Sequence, residues 1–360
     1  MRLLFLSKRH PQQRDLIERP FGRFYYLPTL LAAMGHTVRV ETISHRGLPE
    51  LQTIINGVNW SSRDVKPPRP IKLYRSLLKD TLDFQPDWII GCSDAWYGCL
   101  AQWLAHVTKA RLAIDAYDNY EAYMPWNIPL HRMWRRSVNK ADLVTAAGPG
   151  LAFRLQGYRQ SGRAVEILPM AADPQFAPAN KEQSRASLGL PQDIPLLGYV
   201  GSWSANRGSS LLIDALDAVR SIRPDVRLIT SGKPPAYVTE AAGVTQCGYV
   251  EDSALPSLIS ALDVACVVTA NTEFGRYSYP AKLCEAMACQ VPVVATATEP
   301  VRWMLNGDEA HLAEPGDAES FSRKIMGLLD LPRSTYSYPH SWSTVAAEFS
   351  ALLQAKDERA

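Results

Sequence analysis

At 360 residues the chain is long enough for two domains of ordinary size. Its 46% hydrophobic and 21% charged residues suit a soluble globular protein. No apolar run reaches the roughly 20 residues that a bilayer-spanning helix needs. The net charge of +2 conceals an asymmetry: residues 1–170 hold 23 Lys and Arg against 14 Asp and Glu, and the remainder holds 15 against 22. A basic first half and an acidic second half imply different partners for each. The start, MRLLFLSKRHP, reads as a core strand and not as a signal peptide. The six cysteines (Cys92, Cys99, Cys247, Cys266, Cys284, Cys289) form no CxxC pair, and free thiols in a reducing cytoplasm are expected.

In chain order, residues 3–6 predict a first strand, followed by a polar loop to Gly22. A helix from Gly22 through Ala33 ends at Met34-Gly35-His36, and residues 38–40 form the next strand. This is a βαβ unit with its ligand loop at the carboxyl end of strand one, and without the GxGxxG dinucleotide fingerprint. Residues 45–80, basic and rich in proline, read as a loop and then a helix. Strands at 88–90, 111–114 and 141–146 alternate with helices at 97–107, 125–140 and 150–155, and residues 165–169 close a Rossmann-like domain. Residues 170–180 read as a linker.

After it the alternation restarts. Strands are expected at 196–200, 226–230, 246–249, 263–268 and 291–295, with a short one near Leu312. Helices are expected at 209–221, 254–260, 281–289 and 318–329, and an amphipathic helix from 341 to the end packs back on the first domain. The domains are thus 1–170, 171–340 and the tail 341–360.

Open parallel sheets bind ligands at the carboxyl ends of their strands. In the second half those ends carry Gly201 and Ser202 with Arg207, then Ser231, then Gly248, Tyr249 and Val250. Glycine turns with a forked cation suit a diphosphate. Pro280 at the first helical position leaves free N–H groups facing the loop before it. Lys282 sits near that end, either as a phosphate contact or as a solvated residue, and Glu285 is placed to accept from ribose hydroxyls. Tyr279 precedes the helix, and Glu273, Tyr277 and Ser278 belong to the polar, aromatic loop before it. In the first half, the turn 115–119 directs Asp115, Tyr117 and Asp118 toward one cleft, where a base or an acceptor-hydroxyl ligand is needed. Gly22 lets backbone approach a phosphate or sugar. The basic run at 63–79, and Trp134 among Arg132, Arg135 and Arg136, suit an anionic lipid surface. No nucleic-acid partner is indicated, and the seven histidines show no metal spacing.

Several of these segments together resemble GT-B glycosyltransferases of the retaining family 4 (group 1) type. They are LPTLLAAMGHTVRV, ADLVTAAGPGLAFRL, VEILPMAADPQFAP, GYVGSWSANRGSSLLIDAL, VTQCGYVEDSALPSLISALDVACVV and YPAKLCEAMACQVPVVAT. The resemblance implies an α/β chain of two facing Rossmann-like domains with an interdomain cleft. The nucleotide-diphosphate sugar, of UDP or GDP type, would lie in the second domain. A glycan, lipid-linked or small-molecule acceptor would lie mostly in the first. Transfer would proceed with retention, without a metal or other cofactor, in the cytoplasm or at the inner face of the membrane. Glu285 matches the ribose-binding glutamate, Arg207 the diphosphate-binding cation, and Gly22 the N-terminal glycine loop. The resemblance also sets the loop of Glu273, Tyr277 and Ser278 against a donor sugar. Three positions depart from the pattern: Ser202 stands for an arginine, Tyr277 for a second glutamate, and Tyr117 for a histidine. Glu273, twelve residues before Glu285, replaces that glutamate only if the loop carries four extra residues, and Lys282 replaces the missing arginine charge. The departures leave open a GT-B protein that binds a sugar nucleotide in a regulatory or scaffold role.

Overall fold

A computed structural model describes residues 1–65, 70–160, 162–201, 203, 209–338 and 340–357. The chain divides into two compact units, Met1–Met170 with the segment from Trp342 onward, and Ala171–Ser341.

The first unit contains, in order, β1 (Arg2–Lys8), α1 (Arg23–Ala33), β2 (Thr37–Ser44), β3 (Leu51–Ile55), β4 (Val58–Asp64), α2 (Pro70–Phe84) and β5 (Trp88–Gly91). It continues through α3 (Ala95–Thr108), β6 (Arg111–Ala116), α4 (Ile128–Lys140), β7 (Leu143–Ala146), α5 (Pro149–Gln156) and β8 (Glu166–Ile167). The sheet order is β3-β4-β2-β1-β5-β6-β7-β8, parallel except for the β3–β4 hairpin. That hairpin overturns the reading of residues 45–64 as loop. Its turn is Asn56-Gly57, both with positive φ (49° and 76°), the conformation a tight hairpin with right-handed twist requires.

From β1 the chain winds one way to β2, and later from β5 it winds the other way. Right-handed crossovers therefore put α1 on one face and α2, α3 and α4 on the other. The apolar runs Leu3–Leu4–Phe5–Leu6 and Trp88–Ile89–Ile90 are buried between these layers.

The second unit contains β9 (Ala171–Ala172), α6 (Lys181–Ser187), β10 (Leu196–Tyr199), α7 (Leu211–Arg220), β11 (Arg227–Thr230), α8 (Ala236–Thr239), β12 (Val244–Gln246) and α9 (Leu255–Ser260). Then follow β13 (Val264–Val267), α10 (Ala281–Ala288), β14 (Val293–Thr296), α11 (Glu299–Met304), β15 (Leu312–Ala313), α12 (Ala318–Leu328) and β16 (His340–Ser341). Its sheet, β12-β11-β10-β13-β14-β15, is parallel throughout, so its strands read as unbroken apolar runs and not as alternation. Leu197, Tyr199, Leu212, Leu216, Phe321 and Ile325 belong to the core on one face. Part of the expected linker is a strand, since β9 pairs with β16. Strand β12 ends at Gln246, so Gly248 and Tyr249 lie in the loop beyond it and not within the strand.

The last helix, α13 (Trp342–Asp357), packs in the first unit. Trp342 stacks on Tyr26 at 6.2 Å, Phe349 meets Phe5 edge-on at 6.5 Å, and the Ser350 hydroxyl lies 2.8 Å from His36 Nε2.

One polar group inside the first unit is fully paired. Arg23 donates Nε to Asp115 Oδ2 (2.7 Å) and Nη2 to Asp115 Oδ1 (2.6 Å), and its Nη1 donates to the carbonyls of Leu168 (2.9 Å) and Pro169 (3.0 Å). Thr145 Oγ1 donates to Asp115 Oδ1 at 2.6 Å. Asp115 thus lies inside β6, facing a guanidinium and not a cleft, which corrects its assignment as a candidate base. Removing one partner leaves the other charge buried and uncompensated. Arg23→Ala is expected to cost about 3–5 kcal/mol in urea unfolding, and Arg23→Met with Asp115→Leu to recover most of that loss.

Candidate active site

The reversal of strand order marks the crevice in each sheet. In the second unit it falls between β10 and β13. Here β10 runs into Gly201, at φ 127°, a value other residues rarely adopt. The Gly201 N–H donates to Ser231 Oγ at 3.0 Å, just past β11. The next residue, Gly232, donates its N–H to the Gly248 carbonyl at 2.7 Å, so three turns from three strands meet.

Onto this floor comes Lys282, from the first turn of α10. Its Nζ sits 4.7 Å from the centre of the Tyr199 ring, a cation–π contact, and a side-chain carbon at Gly201 would overlap the end of the lysine. Gly201 is needed both for its φ and for this close approach. Neighbouring Trp203 packs against Tyr199 at 4.5 Å between ring centres. The geometry gathers Gly201, Ser231, Gly248 and Lys282 into one cluster at the strand ends. Arg207 and Ser202 lie outside the described residues.

Pro280 is the N-cap of α10 and not its first helical residue; its ψ of 118° is extended, and helical geometry starts at Ala281. The free N–H groups of the first turn are therefore those that follow. Glu285 lies one turn further along α10, half-buried. Tyr279 is buried, with its ring 5.8 Å from Trp303. Tyr249 is 64% exposed beyond Gly248, presenting its ring to solvent, and Val250 beside it is half-buried.

The segment before Tyr279 folds on itself. Glu273 pairs with Arg276 at 3.1 Å, and Arg276 Nε donates to Asn271 Oδ1 at 3.1 Å. Gly275 starts a 3-10 turn with Arg276 and Tyr277, and any side chain on it would strike the Ala270 carbonyl. Tyr277 and Ser278 are half-buried there, while Glu273 faces solvent.

In the first unit the crevice lies between β1 and β5, bridged by the Lys8 N–H donating to Ser93 Oγ at 2.9 Å. Tyr117 and Asp118 follow β6 and are buried. The Tyr123 hydroxyl donates to Asp118 Oδ2 (2.7 Å), with the Tyr117 hydroxyl 3.1 Å from that of Tyr123. Burial, and next the Asp118 charge, hold the Tyr117 phenol far above its ordinary range. It therefore works as a neutral hydroxyl and not as a phenolate base. Phe24, two residues after Gly22, packs edge-on against Tyr117 at 5.1 Å. Gly22 caps α1 at φ 61°.

Sequence reading missed Asp94 and His45, which stand at the ends of β5 and β2. Asp94 accepts from the Trp96 N–H (2.9 Å) as the cap of α3, and burial raises its carboxyl. Burial, followed by Lys8, lowers the His45 imidazole, which favours its neutral form. Their signal was positional, as polar residues directly after apolar strands. Tyr199 was missed because its partner lies far along the chain.

With this geometry in hand, the chain can be set beside known proteins. Residues 194–331 match the family described as Glycosyl transferases group 1. Over this segment the chain resembles the group 1 glycosyl transferases. It is 30% identical over 234 residues to the D-inositol 3-phosphate glycosyltransferase of Stackebrandtia nassauensis, covering 57% of this chain and 52% of that one. TuaC of Bacillus subtilis, assigned to teichuronic acid biosynthesis as a glycosyltransferase, is 26% identical over 339 residues, covering 89% and 81%. The chain spans about half the length of several curated relatives that it matches. The solved structure of Anabaena HepE in complex with UDP and glucose superposes with a TM-score of 0.72 at 16% identity, over 99% of this chain and 100% of that one. The fold is GT-B.

The loop after Tyr117 and Asp118 is pinned by Glu121, which accepts from Arg135 (2.7 Å), Arg154 (2.9 Å) and the Tyr158 hydroxyl (2.8 Å). Burial alone would raise this carboxyl, but the three donors outweigh it and the net shift is downward. A depressed folded-state value gives stability that is present above the unfolded value of about 4.3 and lost as pH falls through the folded one. Glu121→Gln is thus expected to lower the melting temperature at pH 7, and the gap to the parent protein should close in acid. A gap that persists at pH 3 would count against the ionic origin.

Proposed function

We propose that this chain transfers a sugar from a nucleotide-diphosphate sugar to a glycan, lipid-linked or small-molecule acceptor. The observation that carries the reading is the convergence of Gly201, Ser231 and Lys282 beside the first turn of α10, within the segment that matches the family. In this reading the second unit holds the donor and the first, with Tyr117 and Asp118, most of the acceptor.

The leaving diphosphate gains charge in the transition state. Lys282, the α10 N–H groups and Arg207 stabilise it, which is binding stronger in the transition state than in the ground state. Glu285 accepts from the ribose hydroxyls. Tyr249 and Val250 line the base, Tyr279 backs the helix start, and Tyr277 and Ser278 face the sugar, with Glu273 in the same loop. Ser202 is assigned to the diphosphate by its place in the sequence, and Gly22 to the glycine loop of the first unit.

Asp118 orients the acceptor hydroxyl through the tyrosine cluster. With no nucleophile assigned, the departing phosphate takes the acceptor proton on the same face, and configuration is retained. The reaction is read as independent of a metal and as cytoplasmic, at the inner face of a membrane. A UDP-type donor is the first to test, as Anabaena HepE binds UDP and glucose, with GDP types second. The regulatory or scaffold alternative is not favoured, since the relatives that the chain matches are named as transferases.

Lys282→Met is expected to reduce donor turnover on the order of a hundredfold. Glu285→Ala should weaken nucleotide binding roughly tenfold, read by thermal shift with UDP and GDP. Wild-type nucleotide binding and donor hydrolysis in both variants would sink the site assignment.

A further inference from the structure

The outer face of the α2–α3–α4 layer carries aromatic side chains that the fold does not use. Trp96 and Trp103, two turns apart on α3, are 50% and 38% exposed. With Leu100 and Val107 they form a stripe at helical spacing that points away from the sheet. Tyr74 of α2 is exposed and meets Trp103 edge-on at 6.0 Å, extending the stripe sideways. On the other flank α4 packs against α3, with Ser137 Oγ donating to Gln102 Oε1 at 2.8 Å, and it adds exposed Ile128 and Met133. Trp126, just before α4, is 76% exposed.

This tryptophan is held in place. Its loop is fixed on both sides, with the Asn127 side chain capping α4 and His131 Nε2 lying 2.9 Å from the Met124 carbonyl. Exposure of Trp126 is therefore imposed by the fold, and little further ordering is needed for it to bind. Trp134, which the sequence placed among the arginines as a surface contact, is 2% exposed and belongs to the core.

The charge around the stripe is mostly positive. Helix α3 contains no Asp or Glu, nor does the stretch 122–140. Arg132, Arg136 and Lys140 are exposed on α4, and among the described residues they form no ion pair. Lys72, Arg75 and Lys79 are exposed on α2, with a single exposed acid, Asp83, among them. Asp80 is turned inward onto Arg63.

We propose that this face docks on an anionic lipid bilayer, with Trp96, Trp103 and Trp126 at the headgroup level and the α2 and α4 cations against the lipid charge. Tryptophan is enriched at that depth, and basic residues near an anionic surface each strengthen binding. An apolar stripe alone would fit many partners. The excess of positive charge on the rim, with Lys72, Arg75, Lys79, Arg132 and Arg136 besides Lys140 against Asp83 on α2 and α4, is what selects a negatively charged surface. The proposal extends the transferase reading by placing the acceptor on a membrane, and it rests on that reading for the acceptor alone.

The test is co-sedimentation of the full chain with vesicles of equal phosphatidylglycerol and phosphatidylcholine, and with phosphatidylcholine alone, at low and high salt. Binding to the anionic vesicles at low salt is expected, with loss at high salt. Arg132→Gln with Arg136→Gln should cut it by at least tenfold, at on the order of fivefold per cation. Trp96→Gln with Trp126→Gln should cut it severalfold. Nucleotide thermal shifts, measured on the same variants, should stay unchanged. No binding to anionic vesicles, equal binding to neutral ones, or full binding by both double variants would overturn the proposal. So would a concentration-dependent dimer that the tryptophan variant dissolves, which would make the face a contact between copies. Vesicle binding without any nucleotide shift would overturn the donor reading and leave the docking face standing.

Discussion

A buried guanidinium sets the carboxyl edge of the first sheet. Arg23 follows Gly22 directly, and it grips Asp115 in β6 and the chain leaving β8 at Leu168 and Pro169, while Thr145 of β7 holds the same carboxylate. Four parts of the sheet edge are thereby fixed to one planar group. Such a pair contributes less to stability than its Coulomb attraction suggests, because both ions were dehydrated to form it. What it supplies is position. Gly22, Phe24 and the Tyr117–Asp118 turn are all within two or three residues of its members, so their spacing follows from its geometry.

The second sheet solves a similar problem with backbone and not with charge. Glycines at 201, 232 and 248 let three strand ends approach, and Ser231 closes the gap between the first two. Lys282 then fills the space that side chains at Gly201 would have taken, lying over the Tyr199 ring. A cation kept at one place by an aromatic face and a bare backbone costs little reorganisation when a phosphate gains charge nearby.

Much of the fold was legible because both sheets are parallel apart from one hairpin, so strands such as Val293–Thr296 are plain apolar runs flanked by helices. The β3–β4 hairpin escaped although Asn56-Gly57 is a strong local signal, because the proline-rich basic run after it dominated the reading of the whole segment. Trp134 was misplaced for a different reason. Arginines flank it closely in sequence, but on a helix Leu130, Trp134 and Val138 fall on one buried side. Asp115 looked like a strand-end carboxylate because nothing near it in sequence reveals Arg23. The Lys282–Tyr199 contact is illegible for the same reason, since its members are joined only by the sheet.

The first unit is interrupted by the second. Its sheet is laid down by residue 170, but Phe5, Tyr26 and His36 keep an open apolar seam until α13 arrives after residue 341. At ordinary elongation rates the ribosome needs on the order of ten seconds or more to make the intervening residues. The contiguous second unit can therefore complete its own core first, while the earlier half waits with Phe5 and Tyr26 bare. A stop codon anywhere before α13 would leave this seam uncovered in the half of the protein that was made first.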